Sequence, residues 1–438
     1  MEVFILLIVV LQIFLSIYRL NYGLCFLIAI RILIPDAARV IFIDTSLNTF
    51  CTIILSLVVA LYFIWGFIPK KNINDKMIKF IAFYYLISLF VAIFPNEVPF
   101  SYQFSALNQF IITQMLPVFL AVLIIQKKED YVLLMKVFAI SFLICAFYGI
   151  YSWIFSDFRY NLSFVDFFGY ARVWDLNSEM GGIQGRIYGT FSDSFSYAQV
   201  VPIVFVFMWG ISKRFKYKIN TVLLVLLGIN VLLTVRRAPI VTTLIFFLSL
   251  FYFESTKLKI RYLKYIIVFL VITILAIEFI PYLVKFKTIL ESSLYFWDDS
   301  VSDKNDVSGS SVSFRSFQLQ RTLEIIKDDM LLGKGWGYNY YHPHPEMIGW
   351  ESIVFLILGQ WGIFGIILWT YLFWFMYKYS IKNYQNVLYQ KCFIISSITL
   401  CLLTGTAYYV FIFLGIVLFN KANLLNVNQT IVKISNSH

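Results

Sequence analysis

Arginines beside apolar segments are the residues of this sequence whose type and position could do chemistry. Arg236 and Arg237 lie between the apolar runs 222–233 and 241–253, in a connection too short to carry them far from a lipid bilayer. A guanidinium at that depth is costly unless it reaches water or an anion, and its fork of N–H donors fits a phosphate bidentately. Arg186 follows a glycine-rich stretch that lets a ligand approach the backbone closely. We therefore predict that these arginines bind a diphosphate, with snorkelling to lipid headgroups as the alternative for Arg236 and Arg237.

Two of the three histidines form a pair that could act as a base or bind a metal. His342 and His344 are separated by one proline and followed by another, which stiffens the loop. Glu346 is the one further ligand nearby in sequence, and zinc-type His and Cys spacings, a P-loop and a serine-hydrolase elbow are missing. We expect no metal and no cofactor. One histidine stays a candidate for catalysis or substrate binding, against the alternative of a solvated loop residue.

The composition requires lipid as the main solvent of this chain. Of its 438 residues, 60% are hydrophobic and 13% are charged, whereas soluble domains carry about 25% charged residues. The same values exclude a disordered chain. The net charge of +11 is better explained by membrane topology than by nucleic-acid binding. The five cysteines lie in apolar runs without metal or redox spacing, so we expect buried hydrophobic residues there.

Apolar segments of about 20 residues predict an all-α integral membrane protein with about 12 transmembrane helices and one large extracytoplasmic loop. The second segment is interrupted by Arg31, Pro35 and Asp36, which predicts a broken helix or an early exit from the membrane. The last is interrupted at residues 404–406, so it is one long span or a hairpin of two short ones. The predicted spans are 2–18, 21–43, 49–68, 78–94, 106–125, 131–155, 197–212, 219–235, 238–253, 265–283, 351–377 and 392–420.

Lysine and arginine cluster in alternate connections between the spans, and this pattern assigns those connections to the cytoplasm. The opposite face then carries the connections 157–195 and 284–349 together with the short turn at Arg236 and Arg237. Six candidate residues are predicted to emerge on that outer face: Arg186, Arg236, Arg237, Arg315, His342 and His344.

The longest connection contains one predicted amphipathic helix. Phe317, Leu319, Leu323 and Ile326 recur at helical spacing beside Arg315. Such a helix could lie on the membrane surface or cover a cavity. The chain is thus expected to divide into N-terminal membrane helices (1–156), an extracytoplasmic loop (157–195), central membrane helices (196–283), a large extracytoplasmic loop (284–349), C-terminal membrane helices (350–420) and a tail (421–438).

Four sequence patches follow one another in the second half of the chain. They are Arg186-Ile-Tyr-Gly-Thr-Phe191, Leu233-Thr-Val-Arg-Arg-Ala-Pro-Ile240, Arg315 with the helix running into Leu332-Gly-Lys-Gly-Trp-Gly337, and the segment from Glu351 to Gly365. In this order, and with the longest loop in this place, residues 181–420 resemble the O-antigen ligase and polysaccharide polymerase superfamily. Its members are multi-span glycosyltransferases of the GT-C type.

The resemblance implies an activity and a role for the arginines. Members of the superfamily act on undecaprenyl-diphosphate-linked glycans outside the cytoplasmic membrane. They invert the anomeric carbon and need neither a metal nor a nucleotide sugar. Arg186 and Arg237 match arginines of the family's motifs, and Arg236 and Arg315 are expected to join them around the diphosphate.

The general base stays open at this point. The position that holds histidine in the ligases is Glu351 here, and Ser352 stands where the family has asparagine. His342 and His344 lie several residues earlier. Glu351, His344 and His342 are therefore all candidates for the base that takes the proton of the acceptor hydroxyl.

The departure at Glu351 favours a polymerase of lipid-linked oligosaccharide repeat units, for O-antigen, capsule or exopolysaccharide. The first alternative is an O-antigen ligase that transfers the polymer to lipid A-core or another acceptor. The second is a lipid-linked oligosaccharide flippase, which would carry charges inside several spans. Expected partners are the undecaprenyl-diphosphate-linked oligosaccharide, the growing glycan acceptor and the lipid bilayer, with a chain-length regulator as a further candidate and no nucleic acid. The expected location is the bacterial cytoplasmic (inner) membrane, with the site facing the extracytoplasmic side.

Overall fold

The computed structural model describes the greater part of the chain. The described residues are 2–36, 38–40, 45–68, 75–94, 97–155, 157–168, 187–212, 218–234, 236–253, 312–347, 350–381, 387–405 and 408–424, with isolated positions between 259 and 271. Arg186, nearly all of the predicted span 265–283, the first part of the large loop and the end of the tail lie outside the described residues.

The described chain is almost entirely helical. Its helices are α1 (Glu2–Tyr18), α2 (Leu20–Leu33), α3 (Leu47–Ile64), α4 (Lys76–Ile93), α5 (Phe100–Phe110), α6 (Leu116–Ile124), α7 (Lys128–Phe155), α8 (Arg159–Phe168), α9 (Ser194–Ser212), α10 (Lys218–Leu233), α11 (Arg237–Phe253), α12 (Val312–Ile326), α13 (Tyr338–Tyr341), α14 (Ile353–Ile381), α15 (Val387–Leu403) and α16 (Tyr409–Leu424). A π-helical turn, Ile111–Met115, joins α5 to α6. The strands β1 (Arg39–Val40) and β2 (Thr45–Ser46) form a short antiparallel hairpin in which Arg39 faces Ser46.

Six helices are long and apolar enough to cross a membrane, among the residues that the structure describes. Six further apolar helices are shorter. The helix Ser194–Ser212 is the most enclosed of the long ones, with 89% of its apolar window buried, so α9 stands at the centre of the bundle. At the other extreme, α1 exposes Val3 to 80% and Phe14 to 62%, as a helix in contact with lipid would. These helices confirm an all-α membrane protein.

The structure shows how two predicted spans with interruptions fold, the second and the last. Helix α2 ends at Leu33, and the chain turns through Pro35 into the β1–β2 hairpin, so the second span stops early as predicted. The last predicted span is two helices, α15 and α16, because regular helix stops at Leu403 and resumes at Tyr409.

The predicted amphipathic helix is α12, but it turns a different face to the protein. Gln318, Thr322 and Ile326 are fully buried, whereas Phe317 and Leu323 are more than 40% exposed. Leu319 is exposed as well. The buried positions follow the spacing i, i+4, i+8 of one helical face, so the inner face of α12 is partly polar rather than purely apolar.

Contacts among the connections gather them at two ends of the helical bundle. At the end that carries Arg236, which we call the arginine end, the Tyr160 hydroxyl donates to the Leu33 carbonyl at 2.6 Å. Further contacts at this end are Thr190 with Ile32, Arg236 with Ser194, Arg315 with Leu403, and Lys334 with Glu97. Segments far apart in the sequence therefore meet around the candidate residues.

The opposite end of the bundle has its own contacts. Three hydrogen bonds connect it: Asn21 Nδ2 to Asp130 Oδ1 at 2.6 Å, Tyr379 hydroxyl to Asp75 Oδ1 at 3.3 Å, and Lys421 Nζ to the Val122 carbonyl at 3.0 Å. Asp75 and Asp130 adjoin lysine-rich connections. Among the described residues, Asp75 and Asp130, which adjoin lysines, thus lie at the opposite end from Arg236 and Arg315, as the alternation of charge predicts.

Helix α14 is broken at Gly362, where φ is +61°. A turn formed by residues 330–335 inserts at the break and pairs with the backbone groups that the helix leaves free. Four hydrogen bonds close it: Lys334 N to Gly359 O at 3.0 Å, Gly335 N to Gln360 O at 2.9 Å, Ile363 N to Met330 O at 3.0 Å, and Phe364 N to Leu331 O at 3.1 Å. A Cβ on Gly362 would lie 2.4 Å from the Met330 carbonyl oxygen, so only glycine fits there.

Candidate functional site

Arg236 lies between α10 and α11, with its guanidinium turned toward the start of the central helix α9. Its Nη2 donates to Ser194 Oγ at 3.1 Å, and its Cζ lies 5.1 Å from the centre of the Phe195 ring. Arg237 is the first residue of α11, so its side chain starts at a helix N-terminus. Both side chains are half-buried. The short connection between the two helices therefore holds both arginines at the arginine end.

Arg315 approaches the same region from the large loop. It lies in the first turn of α12, and its Nη2 lies 3.4 Å from the Leu403 carbonyl oxygen, which accepts its hydrogen bond at the end of α15. Helices give their last carbonyls no internal partner, and Arg315 satisfies one of them. This contact anchors α12 beside the break between α15 and α16.

Glu351 joins the three arginines into one cluster. Its carboxyl interacts electrostatically with Arg315, Arg236 and Arg237, and Arg237 also interacts with Arg315. Burial raises the pKa of Glu351 to about 7, although the three guanidinium groups oppose that rise. The cluster is thus a half-buried patch of positive charge around one carboxyl that titrates near neutral pH.

Gln318 on α12 holds the segment that carries Glu351. The Gln318 side chain is fully buried and donates to the Met347 carbonyl, while its Oε1 accepts from the Glu351 backbone N–H at 3.3 Å. Between these two contacts Trp350 adopts a φ of +56°, and its ring lies against Gly359, where an added Cβ would be 2.5 Å from the indole. The backbone before α14 is therefore fixed by one amide and one buried indole.

The two histidines lie beside this cluster in sequence and make other contacts. His344 Nδ1 is 3.3 Å from Glu346 Oε1, and its Nε2 is 3.3 Å from the Tyr338 hydroxyl. His342 is exposed, with its ring 4.9 Å from that of Tyr341. The His344 ring also lies 6.4 Å from the Trp350 ring, directly before Glu351. In the part of the chain that the structure describes, neither histidine contacts the three arginines.

A buried lysine fixes the turn that enters the α14 break. Lys334 Nζ lies 2.7 Å from Glu97 Oε1 and 2.7 Å from Asp329 Oδ2, and its side chain is 8% exposed. Burial alone would lower the pKa of Lys334, but the two carboxylates raise it above its usual value. The Trp336 backbone N–H donates to Gln103 Oε1 at 2.9 Å. The large loop is thereby tied to α5 and to the segment before it.

Of the residues predicted from the sequence, the structure brings Arg236, Arg237 and Arg315 together with Glu351. Arg186 lies outside the described residues. Sequence reasoning missed Gln318 and Lys334, because a glutamine in an amphipathic helix and a lysine in a loop both resemble surface residues. The spacing of Gln318, Thr322 and Ile326 is the one signal that could have shown the buried face of α12.

The chemistry available in this cluster is anion binding beside a base. Three guanidinium groups offer forked donors suited to phosphate oxygens, and a carboxyl with a pKa of about 7 can take up a proton at neutral pH. Among the described residues, no group of three or more His, Cys, Asp or Glu side chains is placed to hold a metal ion.

Residues 222–370 match the family model described as O-antigen ligase. The matched region contains Arg236, Arg237, Arg315 and Glu351, and it begins after Arg186. No curated protein and no solved structure matches the chain. The matched region includes the apolar helix α11 and part of the long apolar helix α14. Residues 222–370, about a third of the chain, are therefore similar to the O-antigen ligase family, and they lie in an all-helical protein whose long apolar helices suit a multi-pass membrane protein.

Proposed function

We propose that the protein polymerises lipid-linked oligosaccharide repeat units by transferring glycan from an undecaprenyl-diphosphate donor to a sugar hydroxyl. The observation that carries this proposal is the convergence of Arg236, Arg237 and Arg315 on Glu351. A site for this reaction must bind a diphosphate and accept one proton, and the cluster offers groups for both. A role in general glycosyl transfer is also what the family match supports.

The arginines would hold the donor diphosphate. In this proposal Arg236, Arg237 and Arg315 bind its oxygens and stabilise the negative charge that grows as the bond to the anomeric carbon breaks. Arg186 is proposed as a fourth ligand on the strength of its motif. The diphosphate is already a good leaving group, so the proposal needs no metal, and attack from the opposite side inverts the anomeric carbon.

Glu351 is the base that the geometry favours. The acceptor hydroxyl oxygen forms the new glycosidic bond, the bond from the anomeric carbon to the diphosphate oxygen breaks, and the hydroxyl proton passes to the Glu351 carboxylate. A bound diphosphate would compensate the three guanidinium charges and bring negative charge near Glu351. Both effects raise a carboxyl pKa, so donor binding would strengthen Glu351 as a base. His344 and His342 remain weaker candidates because their described contacts lie elsewhere.

The proposed location is the bacterial cytoplasmic membrane, with the arginine end outside. The support is the concentration of lysine and arginine in the connections at the opposite end, which favours the cytoplasm for that end. Lipid-linked repeat units would then reach the site from the outer leaflet. A chain-length regulator is a candidate partner at this face.

The test of the diphosphate site compares Arg237→Ala and Arg315→Ala with Arg321→Ala. Arg321 lies on the same helix as Arg315, but its ion pairs to Glu324 and Glu346 are solvent-exposed, with its side chain 40% exposed. Loss of a group that stabilises developing charge typically costs about 10²–10³-fold in rate. We therefore expect the first two variants to insert normally and make no polymer, while Arg321→Ala makes normal polymer. Normal polymer from Arg237→Ala would refute the phosphate role.

The second candidate function is an O-antigen ligase, which the description of the matching family favours. The two activities differ in what accumulates when the protein is absent. Loss of a polymerase leaves single repeat units on the final acceptor, whereas loss of a ligase leaves long polymer on the lipid carrier. The glycan profile of a deletion strain therefore decides between them.

A further inference from the structure

Asp36 forms a second polar group of side chains at the arginine end. The Asp36 carboxylate is exposed and lies in the turn after α2. The Tyr408 hydroxyl donates to its Oδ2 at 2.8 Å, and the Ser192 hydroxyl donates to its Oδ1. The Tyr408 ring meets the Phe191 ring at 6.1 Å in an edge-to-face arrangement. One carboxylate, two hydroxyls and two aromatic rings thus come together from three separate segments.

This Asp36 group borders the arginine cluster on two sides. Ser192 is two residues before Ser194, which binds Arg236. Tyr408 belongs to the connection after Leu403, whose carbonyl binds Arg315. Two residues of chain span at most about 7 Å, so the segment that contacts Asp36 directly adjoins the residue that binds Arg236.

Arg31 supplies an independent sign of a ligand. Its side chain is 9% exposed, and its Nη2 donates to Thr52 Oγ1 at 3.1 Å. The next residue, Ile32, accepts a hydrogen bond from Thr190, which lies two residues before Ser192. The Arg31 Nε has no hydrogen-bond partner within the described residues. A buried guanidinium in a transmembrane helix is costly and marks a functional site by default. The unused donor therefore belongs to the segment of α2 that meets residues 190–192, which also contact Asp36.

We propose that Asp36, Tyr408 and Arg31 form a sugar-binding subsite for the acceptor glycan, a proposal that rests on the glycosyl transfer proposed above. An ionised carboxylate offers about four acceptor positions, and the described contacts use two of them. The remaining two suit the neighbouring hydroxyls of a sugar ring. The half-buried Tyr408 ring, which the buried Phe191 ring supports, offers apolar surface for the C–H face of that ring. The subsite would hold the acceptor while the arginines hold the donor.

The experiment measures two ligands separately on the purified full-length protein. The first is the single-repeat oligosaccharide, released by mild acid from lipid-linked material of a strain that lacks the protein. The second is undecaprenyl diphosphate. Tryptophan fluorescence follows each titration. A hydrogen bond to a charged group that is lost on substitution lowers affinity by roughly tenfold or more.

We expect Asp36→Asn to bind the free oligosaccharide at least roughly tenfold more weakly than the wild type and to bind undecaprenyl diphosphate normally. Arg237→Ala should show the reverse, because the free oligosaccharide carries no diphosphate. Asp328→Asn changes an exposed aspartate elsewhere in the large loop and should bind both ligands normally. Tyr408→Phe removes only the hydroxyl, so it tests the sugar-binding subsite if Asp36→Asn fails to insert into the membrane.

The outcomes separate the two proposals. Wild-type affinity for the oligosaccharide in both Asp36→Asn and Tyr408→Phe, or no binding by the wild type, overturns the subsite and leaves the proposed polymerase intact. Failure of the wild type to make polymer from lipid-linked repeat units overturns the polymerase. In that case the oligosaccharide titration still decides whether Asp36 binds sugar.

Discussion

Replacing Glu351 by glutamine is expected to raise stability and remove activity at the same time. Burial raises the pKa of Glu351 from 4.5 to about 7, so the folded protein holds a proton there that the unfolded chain has already released. Stability therefore falls as the pH rises from about 4.5 to about 7, and the full cost remains above that range. Glutamine keeps the shape of the side chain and carries no charge to bury.

The magnitude follows from the size of the pKa difference. One pKa unit corresponds to 1.36 kcal/mol, so the rise from 4.5 to about 7 corresponds to at most about 3 kcal/mol. We expect Glu351→Gln to gain up to this amount at pH 8 and almost nothing near pH 4.5. The same variant loses the proposed base, which is typically worth about 10²–10⁴-fold in rate.

The assay is thermal unfolding of the purified protein in detergent at several pH values, together with polymer formation from lipid-linked repeat units. At low donor concentration, where the rate reports the free enzyme, the wild-type rate should rise with pH through about 7 as Glu351 loses its proton. Glu346→Gln is the matched control, because its effect on stability should have the opposite sign. Hydrogen bonds from the Glu346 backbone N–H, from His344 and from Arg321 lower the pKa of Glu346, so Glu346→Gln should lose stability at neutral pH.

Two results would refute the reasoning about Glu351. Equal stability of Glu351→Gln and the wild type at pH 8 would show that the carboxyl is not buried at a cost. If Glu351→Gln keeps the wild-type rate and the wild-type pH profile, Glu351 is not the base. The pH profiles of His344→Ala and His342→Ala would then show which histidine is the base.

Three further changes probe the elements that position the site. Gly362→Ala should prevent folding, since its Cβ would lie 2.4 Å from the Met330 carbonyl oxygen. Gly66 has a φ of +76° and open space around it, so Gly66→Ala should lower the free energy of unfolding by only about 1–2 kcal/mol. The yield of monodisperse protein compares the two variants. Lys334→Met should free the turn inserted at α14, measured as faster protease cleavage there. Gln318→Leu should lower the polymerisation rate and leave undecaprenyl diphosphate affinity unchanged, because it releases the backbone of the base but not the arginines.

Much of the architecture followed from composition and spacing. Apolar runs predicted most of the described helices, and the interruption at Pro35 predicted the early end of the second span. At residues 404–406 the sequence left one long span or two short ones open, and the structure has two helices. Alternating lysine-rich connections predicted which connections meet at each end. These features depend on local sequence and on the bilayer, which impose the same rules on every segment.

The arrangement within the site could not be read in the same way. The sequence placed Glu351 beside His342 and His344 as equal candidates, because neighbours along the chain look equivalent. What distinguishes Glu351 is its interaction with the three arginines, which depends on contacts across the fold: Gln318 holds the segment before α14, and Arg315 reaches α15. Likewise, no local sequence pattern predicted that the turn of residues 330–335 would pair with the break at Gly362 in α14.

The break in α14 has a consequence for how the protein inserts into the membrane. A translocon releases finished helices into lipid, where an unpaired backbone group costs several kcal/mol. The amides of Ile363 and Phe364 find their acceptors only in the turn at Met330 and Leu331, which emerges from the ribosome first. We therefore expect α14 to leave the translocon only after that turn has returned to it. Chains arrested before residue 381 should remain protease-sensitive at the turn, and chains arrested well beyond it should be protected.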